Sequence, residues 1–236
     1  MTKERININD ITTYFKLIKK SDLTSDTRLS MIKLFKKTEP DIIAKIPQFF
    51  TKSGRFLGFK DSDYPNNTYI TLLYSGSDNL NNRNSQKHTA TYRKRKSKTQ
   101  KRNSVKLKTS IHKRELIGFM VFNDVMHKKK YFLPQLKDII NKQGSKPGIY
   151  INWICGNNKY KGVVSILMNY LNTYLSNLKN PLVTELSKYK YILGLIEISR
   201  SYAGKLLTLY KKAGFTKTGV VSIYNKNDFY LIIKQL

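Results

Sequence analysis

Three apolar segments in the second half of the chain constrain the fold more than any other feature of the sequence. They are ELIGFMVFN (115–123), IYINWIC (149–155) and YILGLIEIS (191–199). Continuous apolar runs, without the alternation of a half-exposed strand, are typical of strands that are covered on both faces. A helix-like pattern follows the second and the third run directly. The sequence therefore predicts an α/β fold, with one mixed central sheet flanked by helices.

The remaining elements follow from periodicity and turn residues. Apolar residues three and four apart indicate amphipathic helices, and Asp26 or Thr27 is suited to cap the second of them. Gly214 is placed where a helix C-cap glycine belongs. Apolar and aromatic runs bounded by turn residues indicate strands. The predicted helices are 8–20, 28–37, 160–178 and 202–213, and the further predicted strands are 54–60, 68–75, 220–224 and 228–234.

The charge balance is extreme, with 44 Lys plus Arg against 15 Asp plus Glu, a net charge of +29. Residues 79–114 contain no acidic residue and thirteen basic ones. Such a segment cannot bury enough apolar surface to offset its ordering entropy, so we predict a disordered or extended loop. Strands are predicted on both sides of it, and it therefore interrupts a single domain spanning 1–236.

A strongly basic loop attracts nucleic acid or another polyanion by counterion release. A solvated loop, a nuclear-import signal and a polyanion tether fit the same composition, and abundant Lys, Asn, Ile and Tyr also suggest an AT-rich genome. Tyr92 is its one aromatic residue, so the segment lacks a base-stacking platform. The candidate phosphate contacts are Arg93, Lys94, Arg95, Lys96, Lys98, Lys101 and Arg102.

Several classes of protein are disfavoured by what the sequence lacks. Cys155 is the single cysteine, which excludes an intramolecular disulfide, and three histidines show no ligand spacing, so we expect no structural metal. No apolar run approaches the roughly 20 residues that cross a bilayer, and the N-terminus MTKERININD is polar. We expect a cytoplasmic or nuclear protein that is neither secreted nor bound to a membrane.

The most informative segment for function is IYINWICGNNKYKGVVSILMNYL (149–171), in which a buried strand ends in a short polar loop that opens into a helix. Amide groups at a helix start bind phosphate oxygens, and a glycine lets the backbone approach them. The same arrangement also occurs in many α/β domains for structural reasons. The candidate ligand-binding residues are Ile154, Cys155, Lys159, Tyr160, Lys161, Gly162, Val163, Val164 and Ser165.

Two segments together resemble the acetyl-coenzyme A (acetyl-CoA) motifs of the GCN5-related N-acetyltransferase superfamily. That family's loop reads Arg or Gln, two residues, Gly, one residue, then Gly or Ala; Lys159, Gly162 and Val164 take those places here. The ending LYKKAGF (209–215) is similar to the close of the family's second motif, whereas Ala203 stands where the family commonly has Asn. The resemblance covers roughly residues 115–236 and implies an acyl-CoA-binding domain.

The resemblance also implies a mechanism. The family places an amine against the thioester carbonyl between two splayed strands, where amides of the fourth strand polarise the carbonyl and a tyrosine protonates the departing thiolate. By position, Tyr210 is the candidate acid; its alternative role is packing on the sheet. Glu197 is the candidate base, with a structural carboxylate paired to lysine as the alternative. Asp124 is the other nearby acid, and the fourth strand offers only Asn152.

The sequence therefore predicts an N-acetyltransferase that uses acetyl-CoA and transfers the acetyl group to an amine, perhaps on a protein or peptide. The alternative is a catalytically degenerate member of the fold that serves as a basic nucleic-acid-binding or packaging protein. Trp153 and Cys155 are predicted to pack in the core rather than to take part in chemistry.

Overall fold

The computed structural model describes residues 6–38, 55–56, 59–60, 68–76, 114–125, 134–144, 146–175, 185–223 and 227–236. The strands within these residues are β1 (Ile6–Asn7), β2 (Thr13–Lys19), β3 (Arg55–Phe56), β4 (Phe59–Lys60), β5 (Tyr69–Ser75), β6 (Glu115–Asp124), β7 (Gly148–Gly156), β8 (Tyr160–Lys161), β9 (Tyr191–Glu197), β10 (Thr216–Ile223) and β11 (Asn227–Gln235). The α-helices are α1 (Ser25–Thr38), α2 (Pro134–Lys142), α3 (Val163–Leu175) and α4 (Ala203–Lys212).

A seven-stranded mixed sheet forms the centre of the molecule. Its order is β10-β11-β9-β7-β6-β5-β2, and every neighbouring pair is antiparallel except β7 and β9. Eight of the ten residues of β6 are buried, as its apolar sequence predicts for a central strand. The predicted α/β fold, a mixed sheet flanked by helices, is confirmed.

Helices cover both faces of this sheet. On one face, α3 and α4 pack through Met168 and Ala203 onto a cluster that includes Phe122 of β6. On the other face, Phe35 of α1 packs with Val121 of β6, while α2 covers β9 and β11 in a separate cluster. Because neighbouring positions of β6 serve opposite faces, the strand needs apolar residues at almost every position.

The prediction of a helix over 8–20 is wrong. This part of the chain forms a short 3-10 turn at Ile8–Asp10 and then β2, which pairs with β5 over its whole length. The sequence TYFKLIK is rich in aromatic and β-branched residues, which favour strands. Apolar spacing of three and four residues arises here by chance, and pairing with the buried strand β5 outweighs it.

Other boundaries differ in detail. The predicted strand 54–60 is instead the two short strands β3 and β4, paired to each other and outside the main sheet. Helix α2 was not predicted, and α3 begins at Val163, three residues later than predicted. Thr24 caps the start of α1, because its side-chain oxygen accepts a 3.3 Å hydrogen bond from the Thr27 amide. The capping residue is therefore neither Asp26 nor Thr27.

The strands predicted at 68–75 and 191–199, the helix 202–213 and the closing hairpin are confirmed to within a few residues. Strands β5 and β6, which precede and follow the basic segment, are direct neighbours in the sheet and pair Ser75 with Glu115. Among the described residues, no helix is both long and apolar enough to cross a bilayer.

Candidate functional site

The parallel strands β7 and β9 separate after a short ladder of paired residues. They pair only from Gly148 with Tyr191 to Tyr150 with Leu193, although β7 runs on to Gly156 and β9 to Glu197. The far halves of the two central strands are therefore not joined by backbone bonds, which opens the sheet between them.

A bulge lies in β7 just beyond Tyr150, the last residue of this strand that pairs with β9. Opposite β6, Ile151 pairs with Phe122 and Trp153 with Val121, so Asn152 is an extra residue with no partner across the strand. Bulges of this kind bend a strand, disrupt its ladder and are common next to active sites. The bulge and the opening between the strands coincide, which makes this the most irregular point of the central sheet.

At its far end β7 leads through a tight turn into α3. Gly162 has φ of +97°, a backbone conformation that L side chains rarely adopt, and its carbonyl accepts the first bond of α3 from Ile166 at 3.0 Å. By the geometry of helices, the amides of Val163, Val164 and Ser165 then have no carbonyl of their own helix to bind. These three amides lie at the helix start where the sequence predicts phosphate binding, and that role stays a prediction.

The amides of the preceding turn are engaged within the protein. The Asn157 amide donates to Ile117 O at 2.7 Å, the Lys159 amide to Asn157 Oδ1 at 3.0 Å, and the Tyr160 amide to Asn157 O at 2.9 Å. These three amides of the turn are therefore already used within the protein. The candidate amides for phosphate binding are those of Val163, Val164 and Ser165 at the start of α3.

The first turn of α3 rests on two glycines of the sheet. Val163 is 3% exposed, and its Cγ1 would lie 2.5 Å from a Cβ on Gly118 and 2.9 Å from one on Gly156. Only residues without a side chain leave room for the helix to come this close. Val164, which takes the place of the family's small residue, is half-buried and packs against the core cluster of the α3 and α4 face.

Lys159 and Lys161 are exposed beside this turn, whereas Tyr160 between them is 8% exposed. The Lys159 ammonium lies 5.2 Å from the centre of the Tyr160 ring. Two lysines thus offer positive charge next to the helix start, and Ser165 adds a half-buried hydroxyl-bearing side chain. Tyr160 is a buried, structural residue of the turn.

Cys155 and Trp153 face the opposite side of the sheet from Ile154. The Cys155 thiol lies 2.9 Å from the Thr38 hydroxyl at the end of α1, and the Trp153 ring meets Phe35 edge-on at 5.2 Å. Both side chains pack with α1, as predicted. Of the two β7 residues proposed to contact the cofactor, Cys155 can do so only through its backbone.

Tyr210 lies near the end of α4 and is 3% exposed. Its ring packs edge-on against Phe215 with centroids 5.0 Å apart, in the cluster that also holds Ile196 of β9 and Met168 of α3. Burial raises the pKa of Tyr210 above its ordinary value, so the phenol keeps its proton. The observed contacts are those of the packing role, and the role of Tyr210 as the acid stays a prediction.

Glu197, the candidate base, ends β9 and is engaged by its neighbours. Arg200 Nε lies 2.7 Å from one carboxylate oxygen and Ser199 Oγ donates to the other at 3.1 Å. Arg200 also donates to the Tyr202 hydroxyl. These bonds support the structural role for Glu197, with an arginine in place of the lysine considered from sequence; its role as a base stays a prediction.

A pair of side-chain amides at the bulge was not singled out by sequence. Asn152 Nδ2 donates to Asn123 Oδ1 at 2.8 Å, and Asn123 is 1% exposed. The Asn123 Nδ2 group is buried without a hydrogen-bond partner among the described residues. Asp124, the other acid considered, accepts a 3.1 Å bond from the Tyr189 hydroxyl at the far end of β6.

The basic candidates 93–102 lie outside the described residues, so their contact with a polyanion stays a prediction. Within the part of the chain that the structure describes, no three His, Cys, Asp or Glu side chains cluster as a metal site would require.

No family model matches the sequence, and no curated protein is detectably similar to it. Solved structures do resemble it. NAA60 of Arabidopsis thaliana in complex with acetyl-CoA is 15% identical, with 95% of this chain and 99% of that chain covered and a TM-score of 0.49. FeeM, an N-acyl amino acid synthase from uncultured soil microbes, is 10% identical, with 96% and 91% covered and a TM-score of 0.49.

The ribosomal-protein-S18-alanine N-acetyltransferase of Escherichia coli is 9% identical, with 94% of each chain covered and a TM-score of 0.44. At these identities and TM-scores the likenesses carry no weight for activity or substrate. The assignment of function depends on the residues of this chain.

Proposed function

We propose that the protein is an acetyl-CoA-dependent N-acetyltransferase of the GCN5-related superfamily. The observation that carries the proposal is the opening between β7 and β9, which begins after the pair of Tyr150 and Leu193, beside the Asn152 bulge. In that superfamily the thioester lies between two splayed central strands. The motif residues at Gly162 and in LYKKAGF (209–215) fall on the elements that border this opening.

The first turn of α3 would hold the pyrophosphate of the cofactor. Its three amides and the helix dipole favour negative charge, and Lys159 and Lys161 add two exposed cations. Val164 replaces the family's small residue, but its side chain packs against the core cluster of the α3 and α4 face. The cofactor supplies the activated acetyl thioester; the protein supplies orientation and charge.

At the reacting end, backbone amides of β7 near the bulge would polarise the thioester carbonyl. Tyr210, by its place in the LYKKAGF motif at the end of α4, is our candidate for the acid that protonates the departing thiolate. The side chains at the bulge are amides and cannot accept a proton, and Glu197 is engaged by Arg200. We therefore assign deprotonation of the amine to ordered water rather than to a side chain.

Calorimetric titration of the purified protein with acetyl-CoA tests the proposal. We expect saturable binding with a dissociation constant in the micromolar range, and release of free thiol when a panel of amines and peptide N-termini is added. An absence of binding heat at micromolar protein would contradict the assignment. Binding without turnover on any amine would leave a cofactor-binding protein without transferase activity.

A further inference from the structure

The turn between β7 and α3 is attached to the rest of the protein on two sides. We propose that Glu115, Asn157 and Tyr160 are positioning residues, which hold this turn in its ligand-binding shape before the ligand arrives. The inference rests on the proposed function, because it concerns the loop that would bind the cofactor phosphates. Tyr160, one of the candidate ligand-binding residues of the sequence analysis, is assigned to positioning because its hydroxyl is bonded to Glu115, and none of the three is proposed to touch the ligand.

The first attachment is one carboxylate at the start of β6. Glu115 Oε1 accepts a 3.1 Å bond from Asn157 Nδ2, and Glu115 Oε2 accepts a 3.0 Å bond from the Tyr160 hydroxyl. Both donors are buried, at 2% and 8% exposure. Glu115 itself is exposed, and the bonds draw their strength from its charge, because hydrogen bonds to a charged group are stronger than neutral ones.

Asn157 relays this attachment to the backbone of the turn. Its own amide donates to Ile117 O, its side-chain oxygen accepts from the Lys159 amide, and its carbonyl accepts from the Tyr160 amide. One buried residue therefore fixes the path of the next three. If the Glu115 carboxylate were lost, the Asn157 side chain would keep one of its two bonds and could turn away.

The second attachment comes from the N-terminal part of the chain. The Ile6 amide donates to Lys159 O at 3.1 Å, and β1 pairs with β8 in parallel, with Ile6 opposite Tyr160. Ile8 is 3% exposed, and its Cγ2 would lie 3.0 Å from a Cβ on Gly162. The turn is thus held between Glu115 on one side and residues 6–8 on the other.

This arrangement has a consequence for affinity. A ligand that binds only the ordered form of a loop binds more weakly in proportion to the fraction of protein in that form. Removing one charge-assisted bond from the turn lowers that fraction, and we expect about a three- to tenfold rise in the dissociation constant for acetyl-CoA.

The test compares Tyr160→Phe with Tyr189→Phe. Each change removes one hydroxyl that donates to a carboxylate of β6: Tyr160 to Glu115 at one end, and Tyr189 to Asp124 at the other, at 3.0 and 3.1 Å. Both tyrosines are buried. The second variant is therefore a matched control for the loss of a buried tyrosine–carboxylate bond that is remote from the turn.

Two measurements are made on the full-length protein: the dissociation constant for acetyl-CoA by calorimetry, and hydrogen exchange of backbone amides without ligand. We expect Tyr160→Phe alone to weaken binding about three- to tenfold and to speed exchange at the amides of residues 157, 159 and 160. A Glu115→Gln variant, which keeps the size of the side chain, should show the same two effects.

Equal acetyl-CoA affinity of Tyr160→Phe and the native protein would overturn the inference while leaving the proposed function intact. Equal losses in Tyr160→Phe and Tyr189→Phe would also overturn it, because the effect would then follow from general destabilisation. If the native protein does not bind acetyl-CoA, the proposed function itself fails, and the inference with it, whatever the exchange rates show.

Discussion

The close packing of Val163 in α3 against Gly118 in β6 predicts that a substitution at either position lowers the free energy of unfolding, and that the two together partly compensate each other. In Gly118→Ala the new Cβ would meet Val163 Cγ1 at 2.5 Å, Cys155 O at 3.1 Å and Leu167 Cδ1 at 3.1 Å. Carbon atoms pack best about 3.5–4.0 Å apart, so Val163 must retreat by roughly 1 Å. Gly156 lies close on its other side, and the helix start itself must shift.

The size of the effect follows from this overlap. Overpacking a buried site costs about 1–3 kcal/mol, and we expect Gly118→Ala to lower the free energy of unfolding by about 2 kcal/mol. For a chain of this length, that is about 4–8 °C in Tm. Val163→Ala removes two buried methyl groups and should cost about 2 kcal/mol on its own.

The double variant distinguishes the mechanism from two unrelated losses. The methyl group of Ala at 118 would occupy space that Val163 vacates, so the double variant should lose about 1–2 kcal/mol and not the sum of about 4 kcal/mol. Urea unfolding of all four proteins measures the cycle. Additivity of the single losses to within about 0.5 kcal/mol would refute the reasoning, because the two side chains would then not compete for one space.

Three further predictions follow from the site and its surroundings. Tyr210→Phe should lower turnover without changing acetyl-CoA affinity. Because burial raises the pKa of Tyr210, the stabilising contribution of this residue is complete below about pH 10 and is lost as pH rises. The variant should therefore also flatten the alkaline loss of stability, by up to about 1.4 kcal/mol per pH unit. Unchanged turnover would remove Tyr210 from the acid role. Glu197→Gln should keep turnover within about twofold in steady-state assays, since its carboxylate is already engaged, and a large fall in turnover would restore it as the base. Replacing residues 77–113 by an Asn-Gly turn should preserve turnover of small amines and abolish retention on DNA at low salt, because Ser75 and Glu115 are already paired neighbours; retention that survives would locate polyanion binding elsewhere.

The parts of the candidate site that consist of residues adjacent in the sequence could be predicted from the sequence alone. Gly162 and the start of α3 were found because a strand, a turn and a helix follow one another directly, and LYKKAGF (209–215) because it is a contiguous motif. Glu115 was missed as a positioning residue, since its partners Asn157 and Tyr160 are 42 and 45 residues away. No local pattern connects residues at that distance.

The error at 8–20 has the same origin. The apolar residues of β2 fit a helical period, and only the partner strand β5, whose paired residues lie 50 to 62 positions later, makes the extended form the stable one. Strand preference depends on cross-strand neighbours more than helix preference does, so a single sequence judges edge strands poorly.

Sequence alone determined the class of fold, the central place of β6 and the location of the strand, turn and helix start that we propose to bind phosphate, because burial and helix starts are visible in consecutive residues. Tertiary structure decided which amides in that turn are bonded within the protein, that β7 and β9 separate after three pairs, and that Glu197 is held by Arg200. These features arise from pairing and packing between distant segments. A hydrogen bond already made inside the fold is no longer available to a ligand, and only the folded chain shows which bonds those are.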